Sequence, residues 1–136
     1  MQTLLASNLS EDTLKKMIGR MLIVGFPDEA VDKNSKIIKQ INKYSLGGVI
    51  LFDRFYDDRT KTKNISSPLQ LKNLTASLQK HANQPLLISV DQEGGKVARL
   101  KPAYGFKEFP SAKKVSQNAL ADAQETYKSM SALLHE

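Results

Sequence analysis

Leu86-Leu-Ile-Ser-Val-Asp-Gln-Glu-Gly-Gly-Lys-Val-Ala-Arg99 is the stretch on which the fold turns. The apolar run from Leu86 to Val90 feeds directly into a loop carrying two carboxylates, an amide, two glycines and two cations. A short, continuous apolar run is the pattern of a strand buried in a parallel sheet. Ligands of parallel α/β folds bind at the carboxyl ends of their strands, so this polar cluster stands where chemistry is expected.

Working outward, two earlier runs read the same way. Met21-Leu-Ile-Val-Gly-Phe26 is continuous and apolar, as a strand buried on both faces should be, and Pro27 ends it by removing a ladder donor. Gly48-Val-Ile-Leu-Phe52 is a second buried strand. Helices separate the three. Ser10 offers an N-cap for a helix bearing Leu14, Met17, Ile18 and Met21. Ser35 to Tyr44 places Ile37, Ile38 and Ile41 inward and its lysines outward, and the glycines after Leu46 are expected to close it in the left-handed conformation. Ser67-Pro68 opens a third helix running to about His81. Asp53 to Ser66 reads as a long exposed loop, and Asp91 to about Lys114 as another, punctuated by glycine and proline. A last helix, capped by Asn118, carries Ala123, Tyr127, Met130 and Leu134. The order is a helix and then strand–helix three times, which predicts an α/β fold with parallel strands side by side. Three strands do not close a barrel, whose usual form has about eight. An open sheet of three would need helices on both faces, or a partner.

Composition narrows the classes. The chain has 136 residues, 40% hydrophobic and 25% charged, which is an ordinary globular balance and one domain's worth of sequence. No run approaches the roughly 20 apolar residues of a membrane helix. Met1 to Leu9 lacks the basic start and apolar core of a secretory leader, so a cytoplasmic location is expected and no membrane partner. The absence of cysteine removes disulfides, thiolate metal sites and thiol nucleophiles. The net charge of +6 is dispersed over several helix faces, without the dense basic runs or aromatic strands of a nucleic-acid surface, so no nucleic acid is expected. His81 and His135 are isolated from each other and from carboxylates at ligand spacing, so neither a metal nor another cofactor is expected.

The residues leave the chemistry of the Asp91 loop open. Asp91 and Glu93 could form the carboxylate pair of glycoside hydrolysis. Asp91 could instead accept sugar hydroxyls while Arg99 orients it. A third reading has the acids pairing internally with Lys96 and Arg99. Lys96 after Gly94-Gly95 lacks the glycine–lysine–serine ending of a phosphate loop.

Five separate segments, in order, resemble glycoside hydrolase family 3, and within it the bacterial β-N-acetylhexosaminidases. Ile18 to Phe26 looks like the helix end and first barrel strand, Gly47 to Phe52 like the second strand, Ser67 to Gln79 like the helix after it. Pro85 to Leu100 resembles the third strand with its signature loop, and Phe109-Pro-Ser-Ala112 the approach to the next helix. The resemblance implies the N-terminal part of a (β/α)8 TIM-type barrel, residues 1–136 forming a partial domain cut before the fourth strand. It implies a carbohydrate partner of the N-acetylglucosamine type, with Asp91 and Arg99 holding the sugar; Lys96 stands where an arginine is usual, and no catalytic role follows for Glu93. The family's retaining mechanism uses an aspartate far downstream and a histidine on a Lys-His-Phe-Pro-Gly-His-Gly-like segment, which this sequence does not contain. The chain alone is therefore expected to be inactive. It would act as a truncated glycosidase, a non-catalytic sugar-binding fragment, or one half of a split enzyme that meets a complementary C-terminal fragment or self-associates.

Overall fold

The computed structural model describes residues 9–135; Glu136 and, but for Leu9, the stretch read above for a secretory leader lie outside them. Helix α1 (Glu11–Arg20) starts at Ser10, whose Oγ accepts from the Thr13 N–H at 3.2 Å. Strand β1 (Ile23–Gly25) follows. Ahead of α2 (Lys36–Tyr44), Asp32 Oδ1 accepts from the Ser35 hydroxyl and the Asn34 N–H, both at 2.9 Å. Those two bonds, the hydroxyl's first, hold the Asp32 carboxyl below the usual carboxylate range. Strand β2 (Gly48–Leu51) leads to α3 (Pro68–His81), which has proline in its first turn and Ser67 Oγ accepting from the Gln70 N–H at 3.2 Å. Then come β3 (Leu87–Val90), the short strands β4 (Gln92–Gly94) and β5 (Val97–Ala98), a 3-10 turn (Pro102–Tyr104), α4 (Ala112–Val115) and α5 (Leu120–His135). No described helix is long and apolar enough to cross a membrane.

The strands β1, β2 and β3 lie in that order in one parallel sheet, as the alternation of elements predicts. Ile23, Gly48 and Leu87 share one register level, and Val24, Val49 and Ile88 the next. Side chains alternate across a strand, so the levels face opposite ways. The face bearing Val24, Val49, Leu51, Ile88 and Val90 belongs to the core or packs against it, together with Ile37, Ile38 and Ile41 of α2 and Leu74 and Leu78 of α3. The other face bears Ile23, Gly25, Ile50 and Leu87, none of which reaches the core. Ile23 is 48% exposed and Leu87 58%. The expectation that the first strand is buried on both faces is thus corrected. Both crossover helices pack on one side, and Met21 and Leu22, read as strand, are exposed connectors. The apolar stripe of α1 (Leu14, Met17, Ile18) is also exposed.

Three further expectations change. Ser45, not a glycine, takes the left-handed conformation that ends α2 (φ 51°). The stretch from Asp53 to Ser66 is not a free exposed loop. It folds back on itself through a bridge between Arg54 and Thr62 and through Lys63 N–H to Asp53 O at 3.0 Å. Its closing residue, Asn64, is fully buried. The Asn64 Nδ2 group donates to Phe26 O (3.1 Å) and Asp28 O (2.9 Å), and its Oδ1 accepts from Phe52 N–H (3.0 Å). One side chain thereby ties the carboxyl end of β1 to that of β2. The stretch after Asp91 is likewise built, into the antiparallel β4–β5 hairpin, the 3-10 turn and α4. Gly94 (φ +86°) and Gly95 (φ +60°) make the hairpin turn, a conformation that L side chains rarely adopt. The Gly95 N–H donates to Phe109 O at 2.8 Å, so the segment before α4 straps the turn down.

Two stability outcomes follow. Removing the Asn64 amide leaves three buried or half-buried backbone groups without partners, each worth about 1–3 kcal/mol. Asn64→Ala is expected to lower the unfolding free energy in urea by about 3 kcal/mol, and a loss below about 1 kcal/mol would contradict this role. At Gly94 an added Cβ would stand 2.2 Å from Pro110 O, in a backbone conformation that is itself strained for alanine. Gly94→Ala should therefore cost more than about 2 kcal/mol in the same titration, and a neutral result would mean the strap does not hold the hairpin.

Candidate sugar-binding site

Parallel strands bring their carboxyl ends to one edge of the sheet. There, β2 releases Phe52, Asp53 and Arg54, and β3 releases Asp91. The β4–β5 hairpin then turns the chain back and delivers Arg99 and Lys101 to the same place. Gln92 fixes that return. Its Oε1 accepts from the N–H groups of Arg99 and Leu100, both at 3.0 Å. Gln92 thus supplies backbone alignment where the β4–β5 register slips.

Of the residues singled out in the sequence, Asp91 and Arg99 are brought together, with Arg99 Nη2 donating to Asp91 Oδ2 at 3.2 Å. Glu93 is not part of the pair. It is exposed and forms no ion pair among the described residues, as is Lys96. Asp91 and Glu93 share no hydrogen-bond or ion-pair partner among the described residues. The internal-pairing reading holds for Asp91 with Arg99 and fails for Lys96.

The residue that sequence reasoning passed over is Asp53. It is 3% exposed, at the end of β2, and receives three groups. Lys101 Nζ reaches its Oδ2 at 2.5 Å, the Tyr104 hydroxyl donates to the same oxygen at 3.4 Å, and Arg99 Nη1 stands 3.8 Å from Oδ1. Its position just past a buried parallel strand is the signal that could have found it. The guanidinium of Arg99 therefore lies between a buried carboxylate and an open one, the Asp91 side chain being 43% exposed. The Phe52 ring lies within 5.5 Å of the Arg99 guanidinium carbon and 4.8 Å of the Lys63 ammonium, both at cation–π range. Two carboxylates thus meet Arg99 and Lys101, with the Lys63 ammonium beside them.

Such an arrangement can do one thing well. An ionised carboxylate with free lone pairs accepts hydroxyl hydrogen bonds, and an adjacent guanidinium supplies donors in a planar fork. Neighbouring hydroxyls of a sugar ring match that pair. The histidines take no part: the His81 carbonyl accepts from Asn42 at the far end of α3. No group of three His, Cys, Asp or Glu side chains among the described residues is spaced to hold a metal ion. A cavity of about 1060 Å³ lies on the helix side of the sheet between α3 and α5. Asp53, Asp91 and Arg99 do not line it. It is a gap in packing beneath α5, distinct from the polar edge.

The sequence is similar to several curated proteins named beta-hexosaminidase. That of Nitrosomonas eutropha is 45% identical over 71 residues, covering 52% of this chain and 17% of the relative. That of Photobacterium profundum is 40% identical over 74 residues, covering 54% and 19%. That of Vibrio cholerae is 41% identical over 68 residues, covering 50% and 17%. The matched stretch is less than a fifth of each relative's length. The family model described as Glycosyl hydrolase family 3 N terminal domain matches residues 13–133, nearly the whole described chain, and the protein belongs to that family.

Proposed function

We propose that residues 1–136 contribute the first three βα units of a (β/α)8 glycosidase barrel of the beta-hexosaminidase type, and with them half of a sugar subsite. The carrying observation is the open Asp91 carboxylate, held by Arg99 at the carboxyl edge of the sheet. Asp91 accepts two neighbouring hydroxyls of a terminal N-acetylglucosamine unit, and Arg99 donates to the same sugar while keeping Asp91 oriented. The names and identities of the relatives support this substrate class. The barrel reading is supported by the one-sided sheet. In a barrel all helices lie outside and the inner face packs against the inner faces of other strands. An open doubly wound sheet would have helices on both faces.

The hydrolytic step itself needs a nucleophile and a proton donor placed around the cleaved bond. Here Asp91 is engaged with Arg99, Asp53 is buried against Arg99 and Lys101, and Glu93 is exposed without an ion pair among the described residues. The chain on its own is thus a sugar-binding piece without hydrolysis. A second reading, in which a complementary polypeptide or a second copy completes it, is favoured by the bare Ile23–Leu87 face and by the outer edges of β1 and β3, which pair with no strand among the described residues.

The expected outcome is that millimolar N-acetylglucosamine raises the thermal unfolding midpoint of the purified chain, and that Asp91→Ala abolishes the rise. The same preparation should release no chromophore from a chromogenic N-acetylglucosaminide. A midpoint unmoved by sugar in the parent chain would sink the binding role. Chromophore release that survives purification and vanishes in Asp91→Ala would sink the claim of inactivity.

A further inference from the structure

We propose that Asp53 is the positioning residue of the sugar site: its buried carboxylate holds the Arg99 guanidinium in the orientation from which Nη2 meets Asp91. The inference rests on the sugar-site reading for its consequence, and on geometry for its substance.

Asp53 has a rigid footing. The residue before it, Phe52, has both backbone groups taken by Asn64, its N–H by the Asn64 side chain at 3.0 Å and its carbonyl by the Asn64 N–H at 2.8 Å. The Asp53 carbonyl accepts from the Lys63 N–H at 3.0 Å. Its side chain therefore leaves a backbone fixed on both sides and fully enclosed in the fold. A buried carboxylate persists as an anion only where cations and donors compensate it. The two oxygens divide that task. Oδ2 takes Lys101 and Tyr104, whereas Oδ1 is left to face Arg99 Nη1.

Arg99, by contrast, has little else to fix it. It is anchored by its backbone through Gln92, and its Nε is buried with no hydrogen-bond partner among the described residues. Its contact with Asp91 is to a side chain that is itself open to solvent and has to turn toward substrate hydroxyls. When Asp91 engages a sugar, the Phe52 ring and Asp53 are what keep the guanidinium in plane. Lys101 completes the device by balancing the Asp53 charge, so Asp53 orients Arg99 without drawing it away from Asp91. At 3.8 Å the Asp53–Arg99 contact is one of orientation by charge rather than a short hydrogen bond. Asp53 touches no sugar in this scheme; it acts through Arg99.

Asp53→Asn tests this, because asparagine keeps the shape and an acceptor for Lys101 and Tyr104 while removing the charge. The readout is the side-chain NMR of Arg99, assigned by its loss in Arg99→Lys, followed by titration with N-acetylglucosamine. In the sugar-free parent chain the guanidinium should rotate slowly about Nε–Cζ, and free rotation would overturn the proposal without any variant. In Asp53→Asn the rotation should become fast, and the affinity for N-acetylglucosamine should fall about tenfold, the scale of one charge-assisted hydrogen bond. Adding Asp53→Asn to Arg99→Lys should cost no further affinity. Unchanged Arg99 dynamics in a folded Asp53→Asn, or additive losses in the double variant, would make Asp53 a structural partner of Lys101 alone. If the parent chain binds no sugar, the subsite reading fails, while the sugar-free rotation rates still decide whether Asp53 holds Arg99.

Discussion

Both crossovers of the sheet, through α2 and α3, pass over the same face, and the arrangement of everything else follows from that constraint. The helices bury Val49, Leu51, Leu74, Leu78 and the three isoleucines of α2 in one core. The opposite face keeps Ile23 and Leu87 in contact with solvent. Because the strands are parallel and in register, their carboxyl ends open on one edge, and each loop that leaves them starts from the same line. A sheet covered on one side only is incomplete by the usual rule for parallel sheets. That incompleteness is the feature that supports the proposed barrel setting for these strands.

The edge is then organised by two buried polar residues with different tasks. Asn64 is a fastener, joining β1 to β2 by hydrogen bonds to backbone that would otherwise have none. Asp53 is an electrostatic centre, drawing Lys101 and Arg99 to the end of β2 from the far side of the hairpin. Neither acts on a ligand directly. Together they convert a run of loops into a fixed platform on which the Asp91 carboxylate is the solvent-open partner of Arg99. The platform also explains the hairpin. Gly94 and Gly95 let the chain reverse within a few residues, so Arg99 returns to within hydrogen-bond distance of Asp91.

Much of this was legible in the residues. Local signals suffice for α2, whose isoleucines recur at helical spacing, and for α3, whose Ser67-Pro68 start is both cap and first turn. They suffice also for β2 and β3, whose apolar runs are short and bounded. Asp91 and Arg99 stand out because they flank a glycine turn directly after a strand. What could not be read was which polar residues go inside. Asp53 and Asn64 sit in a stretch rich in charge and hydroxyl groups, and their partners are distant in sequence, Lys101 lying 48 residues from Asp53 and Phe26 lying 38 from Asn64. Periodicity carries no information about such pairs. The bare face of β1 was misread for a related reason. A continuous apolar run such as Met21 to Phe26 signals surface that needs a cover, not which neighbour supplies it.

The central claim is that the carboxyl edge of the sheet, and not the bare face or the cavity under α5, receives a sugar. Backbone amide shift mapping of the 15N-labelled chain during titration with N-acetylglucosamine tests it most directly. The account predicts saturable shifts confined to Phe52–Arg54 and to Asp91–Lys101. Shifts centred on Ile23, Ile50 and Leu87, or on α5, would contradict it.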